Sequence, residues 1–163
     1  MILQYFKKKE NKEQIIAVKQ YKKILYESNN FLNDNNFFKV KDYKTSFEIV
    51  TIFLIMFIRI NLLEENRNLY LKVNDVLISL FITDLDDSLR EKGIGDMSIG
   101  KYVKSYVKKF YFRLSKFPIN NNLYKNESFF DYLKIIDLIK NEDYVNVSRK
   151  FNDKFGDFIK TTI

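Results

Sequence analysis

A glycine-rich stretch near the middle of the chain has the residue types and spacing of a phosphate-binding loop. The sequence LREKGIGDMSIGK, residues 89–101, contains three of the chain's four glycines, and Gly95 to Lys101 spell G-x-x-x-x-G-K. A true phosphate loop follows a buried strand and opens a helix, with Ser or Thr after the lysine. Here residues 83–92 are charged and helical in period, and Tyr102 follows the lysine. The stretch is therefore predicted to be a turn between two antiparallel helices.

A cluster of acidic residues surrounds this turn: Asp84, Asp86, Asp87, Glu91 and Asp96. On a helical wheel, Asp84 falls inside the apolar stripe of its helix. Because a carboxylate that faces a core is costly unless it is paired, Asp84 is expected to have a structural partner such as Arg59, Arg113 or a free backbone N–H. Two alternatives remain open, which are an acidic face that a partner binds and a carboxylate metal site.

Basic residues follow the turn on the next predicted helix. Lys101, Lys104 and Lys108 stand at i, i+3 and i+7 and share one face, and further basic residues lie around them: Lys109, Arg113 and Lys116. This face is either the solvated side of an amphipathic helix or a docking surface for RNA, lipid headgroups or an acidic protein. Phe112 lies on the polar side, where it anchors a partner or packs under the C-terminal helices.

The residue types that are missing exclude several classes of chemistry. The chain has no Cys and no His, so thiolate nucleophiles, Ser-His-Asp catalysis and most zinc and haem sites are excluded. The formal net charge of +7 favours contact with RNA, an anionic membrane or an acidic protein. No cofactor, no metal and no specific DNA binding are expected, and a metal- or nucleotide-dependent enzyme is the least favoured hypothesis.

The elements that position these residues are predicted to be helices, because four glycines and one proline give few turn signals. The apolar run 49–58 is too short to cross about 30 Å of hydrocarbon and is predicted to be a buried core helix. The expected fold is all-α, one domain over residues 1–163 of about six helices, with an antiparallel hairpin around residues 69–117. The helices are predicted at 12–27, 46–63, 69–92, 98–117, 128–140 and 143–160, with a long loop over 28–46.

Capping residues support several of these boundaries. Ser46 is a candidate N-cap, and Gly93 stands where a C′ glycine belongs. Asp96 or Ser98 is expected to cap the helix after the turn, and Ser128 with Asp131 is expected to open the next one.

Residues 80–114 resemble the signature of the ubiquinol–cytochrome c chaperone family. That signature has the pattern F-x-D-M-D-x-x-L-R-E-x-G-V-G-D-x-x-V-x-K, followed after a helical spacer by F-Y-G-R. The resemblance covers about residues 20–145, with looser flanks. The matched positions are Phe81 or Ile82, Asp84, Asp86, Leu89, Arg90, Glu91, Gly93, Gly95, Asp96, Ile99, Lys101, Phe110, Tyr111 and Arg113.

Three positions depart from the family pattern. Phe53 replaces a histidine of an early helix, Phe112 replaces the glycine of F-Y-G-R, and Leu85 replaces a methionine. The chain is therefore identified as a divergent member, and any role of that histidine is absent.

The resemblance implies a non-enzymatic assembly chaperone for the ubiquinol–cytochrome c reductase complex. Its expected partners are cytochrome b or another reductase subunit, with the ribosome, a small partner protein and the membrane surface nearby. The absence of a presequence leads us to expect the bacterial cytoplasm at the inner membrane, with the mitochondrial matrix side as the alternative. A basic helical RNA- or ribosome-binding module is the alternative function. The expected partner-binding residues are Asp84, Asp86, Arg90, Glu91, Gly93, Gly95, Asp96, Gly100, Lys101, Lys104, Lys108, Phe110, Tyr111 and Arg113.

Overall fold

The computed structural model describes residues 11–118, 127–141 and 143–162, and over these residues it contains six α-helices. The predicted all-α class and the number of helices are confirmed. Within the described ranges the one β-type contact is an isolated bridge between Phe38 and Ile139. The helices are α1 (Lys12–Asp34), α2 (Tyr43–Asn61), α3 (Arg67–Glu91), α4 (Asp96–Lys116), α5 (Glu127–Ile136) and α6 (Tyr144–Thr162).

Helix α2 is the centre of the fold because its sequence leaves almost no polar face. Nearly every side chain from Phe47 to Asn61 is buried, which confirms the predicted core helix. Helices α1 and α3 pack against α2 and against each other, and α6 covers another side of α2. Helix α4 packs on α3 and only lightly on α2, so it lies at the edge of the bundle.

Phenylalanine rings fill the space between α1, α2 and α6. The Phe53 ring lies 5.4 Å from the ring of Phe31 and 5.2 Å from that of Phe158, measured between centroids, and both contacts are edge-to-face. Each such pair stabilises the fold by about 0.5–1.5 kcal/mol in addition to the contribution of the apolar area that it buries. Phe53, which stands where the resemblance implies a histidine, is fully buried.

A buried amide network joins the first three helices. The Gln20 and Asn61 side chains exchange hydrogen bonds of 2.8 and 2.9 Å, and Asn61 donates to Asn74 over 2.7 Å. Asn74 in turn donates to the carbonyl of Ile58. Because each amide finds partners, the network stabilises one alignment of α1, α2 and α3.

Two predicted boundaries are wrong in the N-terminal third. Helix α1 continues to Asp34 rather than ending near residue 27, because Ser28, Phe31 and Leu32 prolong its buried stripe. Helix α2 begins at Tyr43, and its N-cap is Asp42 rather than Ser46. The Asp42 carboxylate accepts hydrogen bonds from the Thr45 backbone N–H at 2.9 Å and from the Thr45 hydroxyl at 3.0 Å.

The C-terminal helices also begin and end differently from the prediction. Helix α5 begins by Glu127, so Ser128 lies inside it, and the helix ends at Ile136 rather than near residue 140. Asp137 then adopts a φ of +51°. A right-handed α-helix cannot continue through a residue with this backbone conformation. The chain pairs there with the segment after α1: the Lys39 backbone N–H donates to the Leu138 carbonyl at 2.8 Å.

Candidate partner-binding surface

The turn between α3 and α4 is closed by a Schellman motif. The Ile94 N–H donates to the Leu89 carbonyl at 3.2 Å, and the Gly93 N–H donates to the Arg90 carbonyl at 2.8 Å. Gly93 has a φ of +85°, a conformation in which a residue with a Cβ is strained, so glycine is favoured at this position. The prediction that Gly93 is the C′ residue is confirmed.

Helix α4 begins at Asp96, three residues after Gly93 and earlier than predicted. Its N-cap is Gly95, with no side-chain cap, so the expectation of Asp96 or Ser98 as the cap is wrong. Gly95 has extended backbone angles, and its carbonyl accepts from the N–H groups of Ser98 and Ile99. The G-x-x-x-x-G-K match therefore follows a helix rather than a strand, as the predicted turn requires.

Arg90 links the two helices across the turn. Its Nε donates to Asp86 Oδ2 at 2.5 Å within α3, and its Nη1 pairs with the Asp96 carboxylate at the start of α4. The hydrogen bonds to Asp86, and then those to Asp96, raise the pKa of the Arg90 guanidinium. All three side chains remain partly or largely exposed. These charges therefore hold the turn together while still facing solvent.

Asp84 occupies a different environment from the one predicted. Its side chain is exposed, and its Oδ2 accepts a hydrogen bond of 2.9 Å from the hydroxyl of Tyr21 on α1. The predicted structural partner exists, but the expectation of a core-facing carboxylate with an arginine or backbone partner is wrong. Burial, followed by the Asp84 charge, raises the pKa of the Tyr21 hydroxyl.

Arg113 is buried rather than exposed, and it pairs with Glu48 of α2. Arg113 Nε lies 3.0 Å from Glu48 Oε2, and Arg113 Nη2 lies 2.9 Å from Glu48 Oε1. Glu48 is 0% exposed and Arg113 is 7% exposed. Phe110 is also buried, with its ring centroid 5.2 Å from that of Phe81. Both residues were expected among the partner-binding set, and the structure places them beneath the surface.

The outward face of α4 combines lysines with large apolar side chains. Lys101, Lys104 and Lys108 are all exposed, as the helical spacing predicts. Tyr111 and Phe112 are about half exposed. The Phe112 ring lies 5.7 Å from Lys116 Nζ. Its exposure favours a surface role over packing under the C-terminal helices.

Two residues of this surface were missed by the sequence reasoning. Met97 is fully exposed, and Tyr102 is about half exposed. Helical spacing could have placed Met97, because residue 97 lies one turn before Lys101 on the same face of α4. Glu91 and Gly100 are exposed as well, at the end of α3 and in the second turn of α4.

The acidic residues around the turn do not gather into a metal-binding geometry. Over the ranges that the structure describes, no three carboxylates come together as ligands of one ion. In the same ranges, no helix combines the length and the apolar character that a membrane crossing needs.

The structure is a helical domain with an exposed hairpin whose turn is bridged by ion pairs. The model of the ubiquinol–cytochrome C chaperone family matches residues 38–117, a segment that contains α2, α3, α4 and the turn. This match confirms the resemblance to the ubiquinol–cytochrome c chaperone family that the sequence indicates.

A solved structure has the same fold. The crystal structure of the Cbp3 homolog from Brucella abortus superimposes with a TM-score of 0.66, over 95% of this chain and 88% of that chain. The two sequences are 22% identical, so this similarity supports the fold alone. Among curated protein sequences, no match is found.

Proposed function

We propose that this protein is a non-enzymatic assembly chaperone for the ubiquinol–cytochrome c reductase complex, and that it binds cytochrome b or its nascent chain. The observation that carries the proposal is the family match over residues 38–117. This segment includes the α3–α4 turn, whose exposed charges are already ordered by the Arg90 ion pairs. An ordered, charged and solvent-facing hairpin suits a protein that binds another chain.

The proposed contact surface is the turn 91–101 together with the residues that flank it. On one side lie Asp84, Asp86 and Glu91, and on the other side lies the lysine face of α4. Phe110 and Arg113 support this surface from below, since both are buried. Charged residues at the rim of a docking surface mainly set its specificity and association rate, so apolar side chains such as Phe112 are the proposed anchors.

The place of action that we propose is the membrane surface where cytochrome b is made. A chaperone that meets a membrane protein during synthesis needs access to the ribosome and to anionic lipid headgroups. The lysine face of α4 has the charge for either contact. We place the protein at the cytoplasmic side of a bacterial inner membrane, and the matrix side of the mitochondrial inner membrane is the alternative.

Affinity capture from native membranes tests the chaperone function. The tagged full-length chain is expected to enrich cytochrome b, and a deletion strain is expected to contain less assembled reductase complex. A strain that carries the tagged chain but lacks cytochrome b supplies the background control. Normal complex levels in the deletion strain, together with no enrichment of cytochrome b, would contradict the proposal.

A second candidate function is RNA or ribosome binding through the same helix. The exposed Lys101, Lys104 and Lys108, with Tyr111 and Phe112 beside them, favour it. When a protein binds RNA through phosphates, the logarithm of the binding constant falls linearly as the logarithm of the salt concentration rises. The slope is proportional to the number of phosphate contacts. Titrations of ribosomal RNA at several salt concentrations test it, and absent or salt-independent binding removes this candidate.

A further inference from the structure

A cleft opens beside Asp84, between α1, α2 and α3. Its volume is about 200 Å³. An apolar floor is formed by side chains from all three helices, namely Leu25, Phe47, Val50, Phe81 and Leu85. A cavity of about 150 Å³ can hold a benzene molecule, so this cleft has room for the stem of one long side chain.

The rim of the cleft is polar and carries one negative charge. The Tyr43 hydroxyl and Ser88 Oγ are 2.8 Å apart and satisfy each other, which leaves the Asp84 carboxylate as the charged rim group. An ionised carboxylate has about four acceptor sites, and the one bond shown for Asp84 is from Tyr21. Within the described part of the chain, no lysine or arginine pairs with Asp84.

The aromatic rim already attracts one cation of the chain itself. Lys92 Nζ lies 4.6 Å from the centroid of the Tyr43 ring. A ring face of this kind stabilises an ammonium or guanidinium group, and Asp84 adds a full charge. An apolar floor with a carboxylate at the rim matches a side chain that has an aliphatic stem and a cationic head.

We propose that this cleft binds one arginine or lysine side chain of the client, with its stem on the apolar floor and its head on Asp84. The proposal rests on the chaperone function in naming a client, and it specifies the chemistry of the segment that the client presents. The contact lies one and a half to two turns of α3 before the Schellman turn, so it extends the proposed surface toward α1.

Small cations test the cleft without the client. The ¹⁵N-labelled full-length chain is titrated with n-butylguanidinium and n-butylammonium chloride, and n-butanol serves as the uncharged probe of the same stem. Saturable shift changes are expected at the amides of Phe47, Val50 and Ser88 for both cations, and weaker ones for n-butanol. The absence of saturable changes at these amides overturns the proposal.

Two matched variants separate the carboxylate from the net charge. Asp84→Asn removes the charge and keeps an oxygen that accepts from Tyr21, and Asp75→Asn makes the same charge change about two and a half turns earlier in α3. Asp84→Asn is expected to weaken binding of the cations about two- to fivefold, the range for a partly exposed ion pair, and Asp75→Asn to leave it unchanged. Equal effects of the two variants overturn the proposal.

The same variants in the capture experiment distinguish this proposal from the chaperone function. Reduced recovery of cytochrome b with Asp84→Asn, and not with Asp75→Asn, supports both. Recovery that is unchanged by Asp84→Asn overturns the cleft as a client site and leaves the chaperone function standing. Cation binding without any capture of cytochrome b supports the chemistry of the cleft and contradicts the chaperone function.

Discussion

Arg113 and Glu48 make a two-bond ion pair in the core, where Glu48 is fully buried and Arg113 nearly so. Removing one partner of a buried pair leaves the other charge unpaired in an apolar environment, which costs about 3–5 kcal/mol. The pair joins α4 to α2 at a point where few other contacts connect them. It therefore fixes the position of a helix that otherwise lies on α3.

Glu48→Leu alone is expected to lower the free energy of unfolding by about 3–5 kcal/mol, because Arg113 keeps its charge in the core. The double variant Glu48→Leu/Arg113→Met is expected to recover most of that loss, since it replaces the pair by apolar side chains of similar size. Urea unfolding monitored by circular dichroism measures both. A double variant as unstable as the single one would contradict this view of the pair.

Asp84 is expected to contribute to stability through Tyr21, because the hydroxyl of that residue is buried and Asp84 is its hydrogen-bond acceptor. Asp84→Ala should lower the free energy of unfolding by about 1 kcal/mol, because the Tyr21 hydroxyl loses its acceptor. This value is at the low end of the usual range for an unsatisfied donor because Asp84 is exposed to solvent. With Tyr21→Phe already present, the same change should cost less. Additive losses in this double-mutant cycle would show that the hydrogen bond contributes nothing.

The sequence singles out Asp84 and Arg113 as charged residues of interest, but it does not predict which residues pair with them. A helical wheel shows that Asp84 lies near an apolar stripe and that Arg113 is close to one. It does not show that Tyr21, 63 positions earlier, or Glu48, 65 positions earlier, supplies the partner. Contacts of that separation are set by how the helices pack, which the period of one helix does not contain.

Elements whose ends are defined by backbone chemistry could be predicted closely. Gly93 marks the end of α3 because only a positive φ closes the Schellman motif. The long loop over 28–46 was wrong for a physical reason: asparagines signal loops only weakly when a buried stripe continues through them, as Phe31 and Leu32 do in α1. Burial of the stripe outweighs the local propensity.

Gly93→Ala is expected to lower the free energy of unfolding by about 1–2 kcal/mol, because an L residue is strained at this φ. Gly100→Ala is the matched control inside α4, where a Cβ meets nothing within 4 Å. It should raise stability by up to about 1 kcal/mol through helix propensity. Thermal unfolding compares them, and equal effects of the two variants would be incompatible with a strained turn.

Asp42→Ala is expected to cost about 1 kcal/mol near neutral pH, the typical loss for an N-cap. The hydrogen bond from the Thr45 backbone lowers the pKa of Asp42. A group whose pKa is lowered by folding stabilises above its unfolded value and loses that contribution as the pH falls through its folded value. The difference between the parent chain and Asp42→Ala should therefore shrink in acid.

Asp42→Asn is the control for this prediction, since asparagine caps a helix without a titrating charge. Its stability relative to Asp42→Ala should not change with pH over the range in which Asp42 titrates. Urea unfolding at a series of acidic pH values makes the comparison. A difference between parent and Asp42→Ala that grows toward acid would contradict the assignment.

At the scale of the whole molecule, the all-α class was predictable because the sequence has too few turn signals for a sheet protein and a nearly unbroken apolar helix at its centre. The turn between α3 and α4 was predictable because its glycines are local in sequence. The helical period places Phe112 on the polar side of α4, where it is exposed, but it does not show that Arg113 is buried through its ion pair with Glu48.

The triple variant Lys101→Glu/Lys104→Glu/Lys108→Glu is expected to fold normally and to lose partner binding. Exposed substitutions away from structural features usually change stability by less than about 0.5 kcal/mol each, whereas three charge reversals on one face oppose an acidic partner. The melting temperature and the recovery of cytochrome b in affinity capture measure the two effects separately.

A control variant tests the effect of net charge alone. It replaces three exposed lysines on α1, α3 and α6 by glutamate. This control carries the same change in total charge and should bind as the parent does. If both triple variants lose binding equally, then overall charge rather than the α4 face is responsible. The control positions are Lys22, Lys72 and Lys150.

The buried pair of Arg113 and Glu48 also affects how much conformational entropy is lost when a partner binds. A binding surface that must be ordered when its partner arrives loses conformational entropy at that moment, which weakens the complex. Here α4 is tied to α2 through the core before any partner is present. A client that docks on this helix would therefore meet a preorganised surface, and most of the entropy that binding removes would be the client's own.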